Sequence, residues 1–89
     1  MSDHFRIPAQ VHARGFDGET VVLDLAAGKY FALDDVGSVV WQELSSGRSV
    51  DEVVAILTSK YDVDEAVAKG DVERLAGELV IAGLLVRVP

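Results

Sequence analysis

The hydrophobic repeat of this 89-residue chain changes once, between Leu33 and Asp34, and that change bounds the fold more tightly than any other feature. Before it, apolar residues recur with the period of two that puts side chains on alternate faces of a strand. After it they recur at three and four, the spacing of one helix face. The stretch leading into the change is Leu23-Asp24-Leu25-Ala26-Ala27-Gly28-Lys29-Tyr30-Phe31-Ala32-Leu33. It reads as the end of one strand, a tight turn at Ala26-Ala27-Gly28, and a short last strand from Lys29 to Leu33. Strands first and helices afterwards define an α+β domain.

Residues Met1 to Arg6 show no periodicity and are expected to form a flexible N-terminus, which leaves 7–89 as the folded domain. From Pro8 the chain is extended, with Val11 and Ala13 alternating with His12 and Arg14. Asp17-Gly18 supplies a turn. Thr20 to Leu25 follows as a β-branched run in which Val21, Leu23 and Leu25 share one face, and Val22 and Asp24 the other. In the last strand Phe31 and Leu33 lie opposite Tyr30 and Ala32. The expectation is that Leu23, Leu25, Phe31 and Leu33 face the helices.

The first helix starts at Asp34 or Asp35, whose carboxylate can accept from unpaired amides at the helix start. Val36, Val39, Val40 and Leu44 make its apolar stripe, Trp41 adjoins that stripe in the core, and Gly47 stops it. Ser49 with Glu52 is a capping box, so a second helix begins there with a stripe of Val50, Val53, Val54 and Leu57. Tyr61-Asp62-Val63-Asp64 interrupts the repeat, and Asp64 caps a third helix running to about Ala82 with Gly83 behind it. Its expected buried face is Val67, Val72, Leu75, Leu79 and Ala82. Leu84 to Val88 is a short extended tail that either adds to the sheet or is free to contact a partner. The result is a three-stranded antiparallel sheet followed by three helices. The second and third helices resemble a helix-turn-helix pair with the sheet where a wing would be, a winged helix-turn-helix-like arrangement.

Composition excludes several classes of function. The formal net charge is −7 and the eight basic residues are scattered singly, so a phosphate backbone or an anionic membrane would be repelled. There is no cysteine, which removes disulfides, thiolate metal sites and thiol nucleophiles together. His4 and His12 are isolated, without the spacing of a metal pair, and no cofactor is implied. The chain holds no Gly-rich phosphate loop and no serine in a nucleophile elbow, which argues against an enzyme. No window approaches the roughly 18 apolar residues of a membrane span, and the N-terminus lacks an apolar signal region. The expectation is a soluble, cytoplasmic protein.

Several short motifs occur in order. They are Leu23-Asp24-x-x-x-Gly28-x-Tyr30-x-x-Leu33, Gly37, Val40-Trp41, Gly47, Val53, Tyr61-x-Val63, Asp71-Val72 and Leu79-x-x-x-Gly83-Leu84. This series resembles the PqqD superfamily of leader-peptide recognition domains, over roughly residues 11 to 86. The Asp-x-x-x-Gly-x-Tyr run is most similar to the stand-alone recognition proteins of lasso-peptide biosynthesis. The resemblance implies a non-catalytic domain that binds the leader of a ribosomally made precursor peptide and presents it to a leader peptidase. It also implies that the leader adds antiparallel to the third strand and lies in a groove against the third helix. Asp34 departs from the Asn frequent there in the family, and Gly70 inside the third helix costs on the order of 1 kcal/mol relative to Ala.

Carried onto this chain, the resemblance makes Lys29, Tyr30, Phe31, Ala32 and Leu33 the strand that receives the leader. Leu75 and Leu79 become its apolar floor, and Asp71, Arg74 and Glu78, at i, i+3 and i+7, fix its register. Each residue also has an ordinary structural role. Tyr30 reads equally as a half-buried sheet aromatic, Leu75 and Leu79 as core, and the three charged residues as a solvated helix face. The rival functions are recognition in another peptide pathway with a radical-enzyme partner, a winged-helix DNA-binding regulator, and dimerisation through the exposed strand. Residues 64 to 83 hold five carboxylates against two basic groups, which opposes the DNA-binding reading.

Overall fold

The computed structural model describes residues 4–89, and among them the chain forms five strands and three helices. In order these are β1 (His4–Arg6), β2 (Val11–Phe16), β3 (Glu19–Asp24), β4 (Lys29–Leu33), α1 (Asp35–Ser45), α2 (Val50–Lys60), α3 (Glu65–Ile81) and β5 (Val86–Val88). β2, β3 and β4 make the expected antiparallel sheet in sequential order, with Val22 opposite Phe31 and Thr20 opposite Leu33. Asp17 and Gly18, at φ of 54° and 80°, turn β2 into β3, both in the left-handed region that a type I′ two-residue hairpin turn needs. The three helices follow the sheet. The likeness to a winged helix is loose, because the sheet precedes the helix pair instead of following it.

The helix boundaries fall where the capping residues predict. Asp34 Oδ1 accepts from the Gly37 N–H at 2.8 Å, and Asp64 Oδ1 from the Ala66 N–H at 3.2 Å. Ser49 and Glu52 bond reciprocally, with Glu52 Oε1 accepting from the Ser49 N–H at 2.9 Å. α1 and α3 both end on glycines at positive φ, Gly47 and Gly83. The next residues donate back into the last turn, Arg48 to the Glu43 carbonyl and Leu84 to the Leu79 carbonyl.

Four expectations are corrected. First, Leu23 and Leu25 do not face the helices: Val22 and Asp24 do, both buried, while Leu25 is 65% exposed. β3 carries Val21-Val22-Leu23 in succession, so its own pattern does not choose a face. Its register against β4 does, because Phe31 and Leu33 point inward and their partners Val22 and Thr20 must follow. Secondly, residues 1–6 are not a frayed end throughout. His4–Arg6 pair antiparallel with Val86–Val88, Phe5 is buried beneath the Arg87 guanidinium at 5.3 Å, and His4 Nδ1 donates to the Gly47 carbonyl at 2.9 Å. Met1 to Asp3 lie outside the described residues.

Thirdly, Val67 is 54% exposed and Leu75 only half-buried; the inward face of α3 is Ala68, Val72, Ala76 and Leu79. Small residues hold two of the four inward positions where α3 packs on α2. Fourthly, on α1 Val36 is exposed and Val39 partly so, while Gly37 is buried. A Cβ on Gly37 would stand 3.3 Å from Leu33 Cβ and 3.2 Å from the capping Asp34 carboxylate, so a side chain there would require Leu33 or the cap to give by a few tenths of an ångström, which glycine avoids where the first turn of α1 meets β4. The tail does not join the three-stranded sheet. Leu84 and Leu85 enter the core and β5 pairs with β1.

Two predictions follow from this packing. Phe5→Ala lowers the unfolding free energy by about 3 kcal/mol in chemical denaturation; a loss below about 0.5 kcal/mol, the range of an ordinary surface change, would mean that β1 does not hold the core. The Ser49 N–H, with its hydroxyl and Arg48 adding to it, keeps the Glu52 carboxyl below its ordinary value. A depressed folded-state value contributes stability that is present above the ordinary carboxylate range and is lost as pH falls through the folded value. Glu52→Gln therefore makes the acid side of the stability curve shallower below about pH 5, and an unchanged acid limb would count against the capping box.

Candidate functional site

β4 is an edge strand: it pairs with β3 on one side, and among the described residues no strand pairs with it on the other. Which of its main-chain groups are open follows from the hairpins. The Leu25 N–H donates to the Gln10 carbonyl at 3.1 Å, so the odd-numbered residues of β3 direct their main chain toward β2. The even-numbered ones must then face β4, and Thr20–Leu33, Val22–Phe31 and Asp24–Lys29 are the hydrogen-bonded pairs. Tyr30 and Ala32 are left with N–H and C=O directed away from the sheet. Their side chains stand on the sheet face opposite the core, and Tyr30 is 72% exposed.

Beside the Leu33 end of this strand lies an open groove of about 520 Å³. One bank is Ala32 and Leu33 of β4 with Asp34, Val36, Gly37 and Val40 at the start of α1. The other is Asp71, Val72, Arg74, Leu75 and Glu78 of α3, and Tyr61 and Val63 from the α2–α3 connection, with Leu57 and Ala68, complete the lining. The volume suits a few side chains of an extended peptide. Arg74 Nη1 donates to Asp71 Oδ1 at 3.1 Å; both side chains are more than half exposed, so this pair adds little to stability.

Six of the ten residues singled out in the sequence line this groove: Ala32, Leu33, Asp71, Arg74, Leu75 and Glu78. Lys29 and Tyr30 sit further back along the strand. Phe31 packs its partly buried side chain against the core and Leu79 is fully buried, and neither lines the groove. The apolar floor assigned to Leu75 and Leu79 is instead Leu75 with Val72, Val40 and Val63. Tyr61 and Val63 were not singled out as site residues, since a four-residue turn carries no face periodicity. Their place in the motif Tyr61-x-Val63 was the signal available. Among the described residues no group of three His, Cys, Asp or Glu side chains is placed to hold a metal ion, and no helix is long and apolar enough to cross a membrane.

An α+β domain with an open edge strand beside a helix-walled groove is the class of structure observed. The chain belongs to the PqqD family: the family described as Coenzyme PQQ synthesis protein D (PqqD) matches residues 19–85. Two solved structures are closely similar. One is TbiB1 in complex with the TbiA(beta) leader peptide, 34% identical, with a TM-score of 0.85 over 90% of this chain and 93% of that one. The other is lasso peptide synthetase B1 complexed with the leader peptide, 30% identical, with a TM-score of 0.85 over 97% of this chain and 99% of that one. No curated protein sequence matches.

The parity of β4 predicts an asymmetry between neighbouring positions. Ala32→Pro removes an N–H that has no partner in the sheet and changes stability by no more than about 1 kcal/mol, whereas Phe31→Pro breaks the ladder and costs about 3 kcal/mol or more. Thermal or chemical denaturation of the two variants separates them, and equal losses would mean that the parity is wrong.

Proposed function

We propose that this domain binds the leader segment of a ribosomally synthesised precursor peptide, as an antiparallel strand added to β4 with side chains in the groove against α3. It acts by delivery, without catalysis, in the cytoplasm, and presents the precursor to a leader peptidase. The observation that carries this reading is the outward main chain of Tyr30 and Ala32 beside an apolar groove. Both similar structures are complexes with leader peptides, which supports a peptide as the ligand. The second of them is a lasso peptide synthetase component, which favours a lasso precursor over the precursor of a radical-enzyme pathway.

Magnitudes decide how the work divides between strand and groove. Two outward residues offer four hydrogen bonds, each about 0.5–1.5 kcal/mol net. Ordering about five residues of a free peptide costs about 1–2 kcal/mol apiece. Main-chain pairing alone therefore falls short of the ordering cost by a few kcal/mol and is indifferent to sequence. One apolar side chain buried in the groove contributes about 1.5–3 kcal/mol, so two or three anchors against Leu75, Val40 and Val63 are what make binding favourable and selective.

An NMR titration of the labelled domain with the leader half of a candidate lasso precursor peptide tests this. Shifts concentrate on Tyr30 to Leu33 and on the groove side of α3, and Ala32→Pro or Leu75→Ala weakens the complex about tenfold or more while the fold persists. Arg74→Glu alters affinity with stability held within about 0.5 kcal/mol. Binding that is indifferent to all three substitutions, or shifts confined to another surface, would overturn the proposal.

A further inference from the structure

The groove is apolar at its floor and one-sided in charge at its rim. Asp71, Arg74 and Glu78 all line it from α3, and the only guanidinium among them is already directed at Asp71, at 3.1 Å. Asp34 faces it from the start of α1, where Oδ1 is engaged by the Gly37 N–H. The Glu78 carboxylate has no hydrogen-bond or ion-pair partner among the described residues. Glu78 also stands three residues from Leu75, hence on the same side of α3, within reach of whatever packs on that leucine.

We infer that Glu78 sets a charge specificity: the segment filling the groove carries a Lys or Arg close to its apolar anchor, and the Glu78 carboxylate receives that cation. This rests on the reading of the groove as a peptide site and adds to it the chemical class of the ligand. The long stem of a Lys or Arg covers the flank of Leu75 while its head reaches the rim, so one residue serves both parts of the groove. Asp34 is a poorer receiver, since its short side chain is fixed by the cap it makes. A chain of net charge −7 draws such a segment in from a distance and repels an acidic one.

The test pans a displayed library of random peptides, about 12 residues long, enough for a strand and an anchor, on the wild-type domain and on Glu78→Lys and Ala32→Pro. The wild-type domain selects peptides with Lys or Arg beside a large apolar residue. Replacing that cation by Gln in a synthetic copy weakens binding about two- to fivefold at low salt, as for a partly exposed ion pair. Glu78→Lys reverses the preference and recovers affinity for the copy carrying Glu at that place. Peptides that lose binding with Ala32→Pro but are indifferent to charge against Glu78 would overturn this inference and leave the peptide site standing. Selection of no peptide, or of peptides insensitive to Ala32→Pro, would remove both.

Discussion

The turn after β3 is the constraint on which the rest of the site depends. The Asp24 carboxylate is buried there and its Oδ1 accepts from the Ala26 and Ala27 N–H groups at 3.1 and 3.0 Å, while its carbonyl accepts from Gly28 at 2.9 Å. A short acidic side chain that satisfies its own turn is the usual role of Asp at such a place. Gly28, at φ of 68°, then releases the chain into β4 opposite Asp24. From that register the rest is forced: Val22 meets Phe31, Thr20 meets Leu33, and Leu33 enters the core. Asp34 is then delivered to cap α1, whose first turn closes on β4 at Gly37. The edge and the groove are two consequences of one turn.

Local chemistry was legible in the sequence and shared geometry was not. Asp34, Ser49, Asp64, Gly47 and Gly83 marked the helix ends because a cap is satisfied by residues two to five positions away, and the same locality exposed the α2 stripe. The inward face of β3 was misread because three apolar residues in a row satisfy either parity, and only the partner strand chooses between them. The N-terminal strand escaped notice because Phe5 is a single apolar residue whose partners are some eighty positions away, in β5. Within the site, Leu75 and Leu79 have the same composition and the same apparent face, yet one lines the groove and the other is sealed beneath it. Their difference lies in how α3 is rolled against α2, which small Ala68 and Ala76 permit and no local pattern reports.

The two parts of the site divide labour. An edge strand holds any extended chain about equally well, which makes it a poor discriminator and a hazard for self-association. In the proposed complex selectivity falls to the groove, where apolar floor and acidic rim would act on side chains that extend from the added strand. The β1–β5 ribbon lies outside this machinery: it ties the two ends of the described chain over the core, and among the described residues neither strand lines the groove. Edge and groove are thus held on a core that is closed elsewhere.

Residue-resolved amide hydrogen exchange, with and without the leader peptide, tests the central claim most directly. In the free domain Phe31 and Leu33 are protected by the sheet while Tyr30 and Ala32 exchange freely; bound peptide protects Tyr30 and Ala32 and leaves their neighbours unchanged. Protection that appears elsewhere while Tyr30 and Ala32 stay open would contradict capture at the β4 edge.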